Sequence, residues 1–365
     1  MTLPTDLPEP RADDAPAPRR ERSRSRRVLT VVALVAAGLV VALVAGGGFI
    51  AARLNANVER FADPFEELTS RPEMPTPTAA PGEPEPEGTA MNLLLLGSDS
   101  RISAGDPGDW VAGAQRTDAI MLVHLPADSS EVFVMSIPRD SWVPIPDHGS
   151  AKINAAYSLG GPSLLIETFE QLTQVRIDHL AIADFESFVD LTDALGGVEL
   201  TLARDLVDDG QLILPAGDHV LTGEEALVYV RQRKNLARGD FDRVQRQQAW
   251  VRAVFEEALS RDVLTDPGKL TAFLDTATRA VAVDEGLGWS ALLDLAGRGA
   301  GLGASDVHFL TVPIEGIGTS ADGQSIVLLA EEPFGRLMEA VRTDDVAGYL
   351  AEHGDEVDRL PAVAP

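Results

Sequence analysis

The chain has 365 residues, which is enough for one large domain or two small ones, and its formal net charge is −27. A surface this negative repels nucleic-acid phosphates, so the composition argues against a protein that binds DNA or RNA. The sequence contains no cysteine, which excludes disulfides, thiolate nucleophiles and cysteine-bound zinc. Its six histidines are scattered without the spacing of a zinc site.

The N-terminal region combines a polar tail with a long apolar run. Residues 1–27 are rich in Pro, Asp and Ala and end in a cluster of arginines, so we expect a disordered tail. Residues 28–52 carry no charge, and about 20 apolar residues suffice to cross a bilayer. Because the arginines precede this run, we predict a single-pass membrane anchor with a cytoplasmic N-terminus and an extracytoplasmic main domain. A cleavable signal peptide is the alternative, although its apolar region would span only about 7–15 residues.

The segment between the apolar run and the first predicted strand has the composition of a tether. We assign residues 53–90 to it, because residues 71–88 are dense in Pro and Glu and such sequences form extended, semi-rigid spacers. A spacer of this kind would hold the domain within reach of a lipid-borne substrate. A passive linker without that purpose explains the composition equally well.

Three short apolar runs follow the tether. They cover residues 92–96, 119–125 and 132–137, and runs of this length between Gly, Pro, Asp or Ser residues are typical of buried strands. A short polar turn joins the second run to the third, so we predict that these two strands pair in antiparallel fashion. This pairing places Asp118, which precedes the second strand, beside Arg139, which follows the third.

The same sheet edge gathers further charged residues if the first strand lies parallel to the third. Asp99 and Arg101 follow the first strand and Arg116 precedes the second, so that two carboxylates and three arginines meet. Arginine bonds two phosphate oxygens through its planar fork, and two carboxylates beside a pyrophosphate suit Mg²⁺. The pattern therefore indicates a rim that binds a phosphate ester and a metal ion. A salt-bridge cluster that merely closes the sheet edge is the alternative.

Helical and strand-like patterns alternate in the middle of the chain. We predict helices at residues 162–172 and 185–195, and strands at residues 179–183 and 198–202. Such alternation indicates an α/β fold, a layered α-β-α domain with a mixed central sheet, here preceded by one transmembrane helix. We assign this domain to residues 91–345.

The last third of the chain carries no recognisable chemistry. Helical spacing at residues 266–283, 289–295 and 333–341 flanks a strand-like run at residues 307–312. No GxSxG nucleophile turn occurs in the sequence. The final residues, 346–365, have the composition of an acidic tail.

A second basic cluster lies near residue 240. Thr222 and Glu225 have the spacing of a capping box, which predicts a short helix that ends near residues 229–230. Arg231 and Arg233 would then lie on an extended segment, where residues two apart point the same way.

A further helix is expected after Gly239. Arginines in the first turns of a helix repel its positive end unless an anion is present. We therefore interpret the cluster as a phosphate or pyrophosphate site, with a solvated Arg/Gln face as the alternative. The apolar stripe of this helix consists of Val244, Val251, Phe255 and Leu259, and the neighbouring face of Arg243, Arg246, Gln247 and Trp250.

The motifs in these two charged regions resemble the signature of the LytR-CpsA-Psr family. The resemblance extends over about residues 91–340. Family members are membrane-anchored bacterial enzymes that transfer cell-wall glycopolymers from a polyprenyl-pyrophosphate carrier to peptidoglycan. The similar motifs are GSDSR at 97–101, RTD at 116–118, IPRD at 137–140, Arg231-x-Arg233, Gly239-Asp240 and Arg243-x-x-Arg246-Gln247.

The resemblance implies a phosphotransferase that joins the polymer to a peptidoglycan sugar hydroxyl as a phosphodiester and releases polyprenyl phosphate. Its partners would be the lipid-linked polymer, peptidoglycan and the plasma membrane, without nucleic acid, and its cofactor Mg²⁺ or Mn²⁺. The predicted catalytic residues are Asp99, Arg116, Arg139, Arg231 and Arg233. The predicted substrate-binding residues are Arg101, Lys152, Asn154, Asp240, Arg243, Arg246 and Gln247. Asp99 and Asp118 match the metal-binding acids.

Two other functions fit the same residues. A non-catalytic binder or attenuator of the lipid-linked polymer would keep the arginines but would not need Mg²⁺, and a lipid pyrophosphatase would release its product into water. A polyprenyl chain would also need an apolar channel. Its candidates are Phe185, Phe188, Leu191 and Leu195, although such residues in a helix more often form plain core.

Overall fold

The computed structural model describes residues 48–73, 88–98, 117–232, 236–299 and 301–365, without the side chains of residues 184–187. Contacts divide the chain into two units, Met1–Arg53 and Leu54–Pro365, and the second contains every described strand. Only the last five residues of the predicted membrane span, 28–52, are described. Within the described part of the chain, no helix combines the length and apolar character needed to cross a bilayer.

The described residues form both strands and helices. The strands are β1 (Glu59–Phe61), β2 (Met91–Ser98), β3 (Thr117–Leu125), β4 (Val132–Ile137), β5 (Trp142–Ile145), β6 (Gly149–Lys152), β7 (His179–Asp184), β8 (Val198–Leu202), β9 (Leu206–Asp208), β10 (Gln211–Leu214), β11 (Gly217–Leu221), β12 (Val281–Asp284), β13 (Val307–Thr311), β14 (Ile314–Thr319), β15 (Ser325–Leu329) and β16 (Asp358–Arg359). The helices are α1 (48–57), α2 (Ile153–Thr173), α3 (Phe185–Ala194), α4 (Gly223–Arg231), α5 (Asp240–Ala258), α6 (Arg261–Thr265), α7 (Pro267–Arg279), α8 (Trp289–Gly299), α9 (Glu331–Arg342) and α10 (Val346–His353).

Eight strands form one central sheet in the order β1-β12-β7-β2-β3-β4-β13-β16. The sheet is mixed, because β1/β12, β7/β2 and β4/β13 pair in parallel and the other neighbours pair in antiparallel fashion. The predicted antiparallel pairing of the second and third apolar runs is confirmed in β3 and β4. Since β2 also runs antiparallel to β3, the first predicted strand does lie parallel to the third.

Helices cover both faces of this sheet. Leu94 and Leu96 of β2 are fully buried in a core that also contains Phe169 of α2 and Leu337 of α9. The alternate leucine, Leu95, contacts the opposite face, in clusters that include residues of α5 and α8. A strand buried on both faces needs apolar residues at every position, which explains the unbroken leucine run of β2. The predicted α/β fold with a mixed central sheet is confirmed, and the preceding transmembrane helix stays a prediction.

Part of the segment assigned to the tether belongs to the domain. Strand β1 pairs with β12 at the sheet edge. Farther along, the guanidinium of Arg71 lies 2.7 Å from a carboxylate oxygen of the buried Glu170 and 4.3 Å from the ring centroid of Phe65. The chain is therefore fixed to the domain up to this arginine. The Pro- and Glu-rich residues 74–87 lie outside the described residues.

The last twenty residues also differ from the prediction of an acidic tail. They form α10 and β16, and β16 pairs with β13. Val346, Tyr349 and Val357 are buried in the main core. The acidic residues between them dominate the composition of this segment and hide its apolar positions. The prediction of an acidic tail is therefore wrong.

Candidate active site

The charged rim begins at one end of the central sheet, where β3 starts and β4 ends. Ile120 of β3 pairs with Ile137 of β4, so Asp118 and Arg139 emerge side by side from neighbouring strands. Nη1 of Arg139 donates to Oδ1 of Asp118 in an ion pair, and both side chains are largely buried. The predicted juxtaposition of these two residues is confirmed.

A short hairpin beside Arg139 adds a second cation. Because β5 and β6 pair in antiparallel fashion, Lys152 returns to the end of β4, where its Nζ lies 3.1 Å from Oδ1 of Asp140. The backbone N–H of Asn154 donates to the carbonyl oxygen of Arg139 at 3.2 Å. Lys152 and Asn154 thus lie beside the rim. Asp140 is not among the predicted site residues, and its position directly after Arg139 is the signal that could have found it.

Helix α5 carries the second basic cluster toward the same end of the sheet. Nε2 of Gln248 donates to Oγ of Ser136 in β4 and to a carbonyl oxygen of β13, both at 2.8 Å. One turn later, Val251 packs against the cluster that contains Val134, which lies farther from the rim along β4. The helix therefore runs antiparallel to β4, and its first turns, which include Arg243, lie toward the rim.

The first turn of α5 supplies its own anions. Nη2 of Arg243 lies 2.9 Å from Oδ1 of Asp240, and Nε of Arg238 lies 2.8 Å from Oδ1 of Asp242. Both aspartates belong to the first turn, where acids stabilise the positive end of a helix. A bound anion is therefore not required to offset the arginines at this helix end.

Arg246 contacts protein groups of α4 and the C-terminal segment. Its Nη1 donates to Oε1 of Gln232 at 2.6 Å, its Nε donates to the carbonyl oxygen of Pro365, and its guanidinium carbon lies 4.6 Å from the ring centroid of Tyr229. Burial lowers the pKa of Arg246. Arg246 and Arg243 are each only 2% exposed, so the alternative of a solvated Arg/Gln face is wrong.

Helix α4 ends slightly later than predicted. The capping box of Thr222 and Glu225 is present. The helix continues through Arg231, which is exposed on the last turn and not on an extended segment, and the backbone becomes extended only at Gln232. The remaining predicted site residues, Asp99, Arg101, Arg116 and Arg233, lie outside the described residues.

An apolar cavity of about 110 Å³ lies between the sheet and helices α3, α4 and α5. Strands β2 and β3 form one wall, and Gln247, which is 7% exposed, contributes to the helical wall. Of the four candidates for a prenyl channel, Phe188 and Leu191 line this cavity. Leu195 is buried in a core cluster, and Phe185 is one of the residues whose side chains the structure does not describe.

Known proteins are similar to this chain in sequence. Residues 69–342 match the model of the LytR_cpsA_psr family. The chain is 35% identical over 284 residues to the cell wall biosynthesis protein LcpA of Corynebacterium glutamicum. This match covers 66% of this chain and 53% of LcpA. It is 32% identical over 249 residues to the polyisoprenyl-teichoic acid--peptidoglycan teichoic acid transferase TagT of Bacillus subtilis. That match covers 66% of this chain and 75% of TagT.

Solved structures share the fold. The crystal structure of B. subtilis TagT matches with a TM-score of 0.55 and 25% identity, over 75% of this chain and 98% of TagT. TagT bound to LIIa-WTA matches with a TM-score of 0.56 and 26% identity, over 74% and 96% of the two chains. The chain spans about half the length of LcpA and of its C. glutamicum relative LcpB. Because the family model covers well over half of its residues, the chain belongs to the LytR_cpsA_psr family.

Proposed function

We propose that this chain is a phosphotransferase that moves a glycopolymer from a polyprenyl-pyrophosphate carrier to a sugar hydroxyl of peptidoglycan, forming a phosphodiester and releasing polyprenyl phosphate. One observation carries the proposal: the charged rim of Asp118 and Arg139 and the apolar cavity lie at the same end of the central sheet, where β3 begins. A ligand that joins a charged group to an apolar chain would occupy both at once. The name of TagT, a transferase of polyisoprenyl-teichoic acid to peptidoglycan, supports the same substrate classes.

The rim would supply the cations that hold the pyrophosphate. Arg139 and Lys152 each have an acidic partner, Asp118 and Asp140, so the four side chains hold one another in place before a donor binds. The guanidinium can bond two phosphate oxygens at once, and the ammonium adds a point charge. Phosphoryl transfer depends mainly on positioning and on neutralising charge in the transition state, so a site without cysteine or histidine suffices.

Asp118, together with Asp99, would hold Mg²⁺ or Mn²⁺ at this rim. Among the residues that the structure describes, no three His, Asp or Glu side chains cluster closely enough to hold a metal by themselves. Mg²⁺ needs only one or two carboxylates, because substrate phosphates and water complete its shell, so Asp118 fits the role. The ion would supply positive charge to the pyrophosphate oxygens.

The cellular setting is part of the same proposal. An anchor at residues 28–52 would keep the N-terminus in the cytoplasm and the domain at the outer face of a bacterial cell membrane. There the carrier lipid and peptidoglycan are both within reach. The net charge of −27 supports a partner set without nucleic acid.

Arg139→Ala tests the proposed chemistry. The full chain is incubated with lipid-linked polymer, Mg²⁺ and peptidoglycan, and the new phosphodiester is measured. Loss of one transition-state donor should reduce the transfer rate by about 100-fold or more. The matched control is Arg298→Ala, since this guanidinium bonds Ser129 and Pro126 at the opposite end of β3 and β4 and should be dispensable for transfer.

Three results would contradict the proposal. Transfer by Arg139→Ala at the wild-type rate would remove the rim from the reaction. Donor binding without a new bond would favour a non-catalytic binder or attenuator. Release of phosphate in the absence of peptidoglycan, with no transfer in its presence, would favour a lipid pyrophosphatase.

A further inference from the structure

The apolar cavity is too small for the lipid that the proposed donor carries. Its volume is about 110 Å³, whereas a cavity of about 150 Å³ holds a single benzene molecule. Pockets that enclose small organic ligands usually measure about 300–1,000 Å³. The cavity, which is partly open to solvent, therefore has room for about one isoprene unit. A longer prenyl chain must either widen it or extend out of its open side.

Two aromatic side chains of the helical wall stack against each other. Phe188 of α3 and Trp250 of α5 both line the cavity, and their rings stack with centroids 3.5 Å apart and planes inclined by 21°. Nε1 of Trp250 donates to Oγ1 of Thr192 at 3.0 Å, and this fully buried hydroxyl donates in turn to the carbonyl oxygen of Phe188 at 2.9 Å. The stack and the hydrogen bond together fasten a side chain of α5 to α3.

The other walls of the cavity are held more firmly. Leu95 and Met121 belong to β2 and β3, which have a paired strand on each side. Helix α3 packs closely against α4, because a Cβ placed on Gly223 would lie only 2.4 Å from the carbonyl oxygen of Val189. Movement of the Trp250 side chain away from α3 is therefore the most direct way to widen the cavity.

We propose that Phe188, Trp250 and Thr192 form an aromatic gate that decides which donor lipids enter. A prenyl chain longer than one isoprene unit displaces Trp250 from Phe188 and from Thr192, and the chain then occupies the space between α3 and α5. This inference rests on the proposed function, because it takes a prenyl-linked donor as the ligand. The free energy needed to open the gate lowers the apparent affinity of every ligand that binds only the open form. It has no effect on a ligand that fits the closed cavity.

Two variants that break the same hydrogen bond test the gate. Thr192→Val removes the acceptor with little change of shape, and Trp250→Phe removes the donor but keeps an aromatic ring. Because a typical hydrogen bond changes an equilibrium by roughly 2- to 10-fold, each variant should bind farnesyl phosphate roughly 2- to 10-fold more tightly than the wild-type chain. Dimethylallyl phosphate, with one isoprene unit in place of three, should bind the wild-type chain and Thr192→Val equally, since Thr192 is not among the residues that line the cavity. The measurements use the full-length chain.

Tryptophan emission gives a second readout. Farnesyl phosphate should change the emission of the wild-type chain by separating Trp250 from Phe188, and Trp250→Phe should remove that change. The control is Thr168→Val, since Thr168 is also fully buried and its hydroxyl donates to the carbonyl oxygen of Leu164 at 2.7 Å in α2, across the sheet. This variant should bind both ligands as the wild-type chain does.

The outcomes separate the gate from the proposed function. Equal affinity of the wild-type chain and both gate variants for farnesyl phosphate would overturn the gate and leave the transfer reaction untouched. Failure of every form to bind farnesyl phosphate would overturn the gate together with the prenyl donor. If one gate variant does not fold, the other decides, because the two remove the same bond from opposite sides.

Discussion

Gln248 fixes the position of α5 on the sheet. The side chain is fully buried, and its amide bonds Ser136 in β4 and Leu310 in β13. At 1.5 Å per residue, Arg243 lies about 7–8 Å from this amide along the helix, toward the rim. The amide of Gln248 thus fixes how far Arg243 and Gln247 of α5 lie from the rim.

Replacing Gln248 by leucine should therefore destabilise the domain. The Ser136 hydroxyl and the Leu310 carbonyl would both lose this donor, and a buried polar group left without its partner costs about 1–3 kcal/mol. We expect the free energy of unfolding in urea to fall by about that amount. Gln171→Leu is the control, because Gln171 is exposed and its side-chain amide donates to Glu167 of the same helix. Its effect should stay within about 0.5 kcal/mol. Equal losses in the two variants would contradict the role of Gln248.

The three tyrosines of the chain provide a prediction about pH. Burial raises the pKa of Tyr157, Tyr229 and Tyr349 to about 12, compared with about 10 in an unfolded chain. Because the folded pKa is the higher one, the stability that these phenols contribute is complete below pH 10 and is lost as the pH rises toward 12. Ultraviolet titration should show tyrosinate forming near pH 12 in the native protein and near pH 10 in denaturant. Native tyrosinate at pH 10 would show that the rings are accessible.

At the scale of elements, two of the contacts that fasten the chain before β2 to the domain lie at separate points. The first is the pairing of β1 with β12. The second is the ion pair between Arg71 and Glu170, in which the carboxylate is only 2% exposed and also accepts the N–H of Ile177. The position of the N-terminal segment is therefore set by the fold of the domain.

Removal of Arg71 should cost far more than removal of a surface arginine. Arg71→Ala leaves the buried Glu170 carboxylate without its cation, which typically costs about 3–5 kcal/mol. Arg342→Ala breaks an exposed pair with Glu339, and such pairs contribute about 0–1 kcal/mol. Thermal and urea unfolding of the two variants should differ accordingly. Similar midpoints would mean that the Arg71 contact is dispensable.

The elements that were predicted wrongly from the sequence are those whose secondary structure depends on strands far away in the chain. The apolar spacing of residues 266–283 predicted one helix, but α7 ends at Arg279 and the next residues form β12. Val281 and Val283 favour a strand by their branched side chains, and the gap between β1 and β7 provides the backbone partners. Periodicity within the segment carries no information about that gap.

At the scale of the whole molecule, the parts of the site that were predictable are those set by adjacent strands. Asp118 and Arg139 follow from one turn and one antiparallel pair, so the sequence was sufficient. The partners of Arg246 were not predictable, because Pro365 lies 119 residues away in sequence and only the folded core brings it close. The same holds for Gln248 and β13.

The pairing of β1 with β12 has a practical consequence for preparing the domain. β12 is flanked by β7 on its inner side and by β1 on its outer side. A recombinant fragment that begins at residue 74 would lack β1. It would expose a row of unpaired amide and carbonyl groups along β12. Such a row is a template for strand addition by a second copy and for fibrous aggregates. Fragments intended for soluble work should therefore start ahead of Glu59.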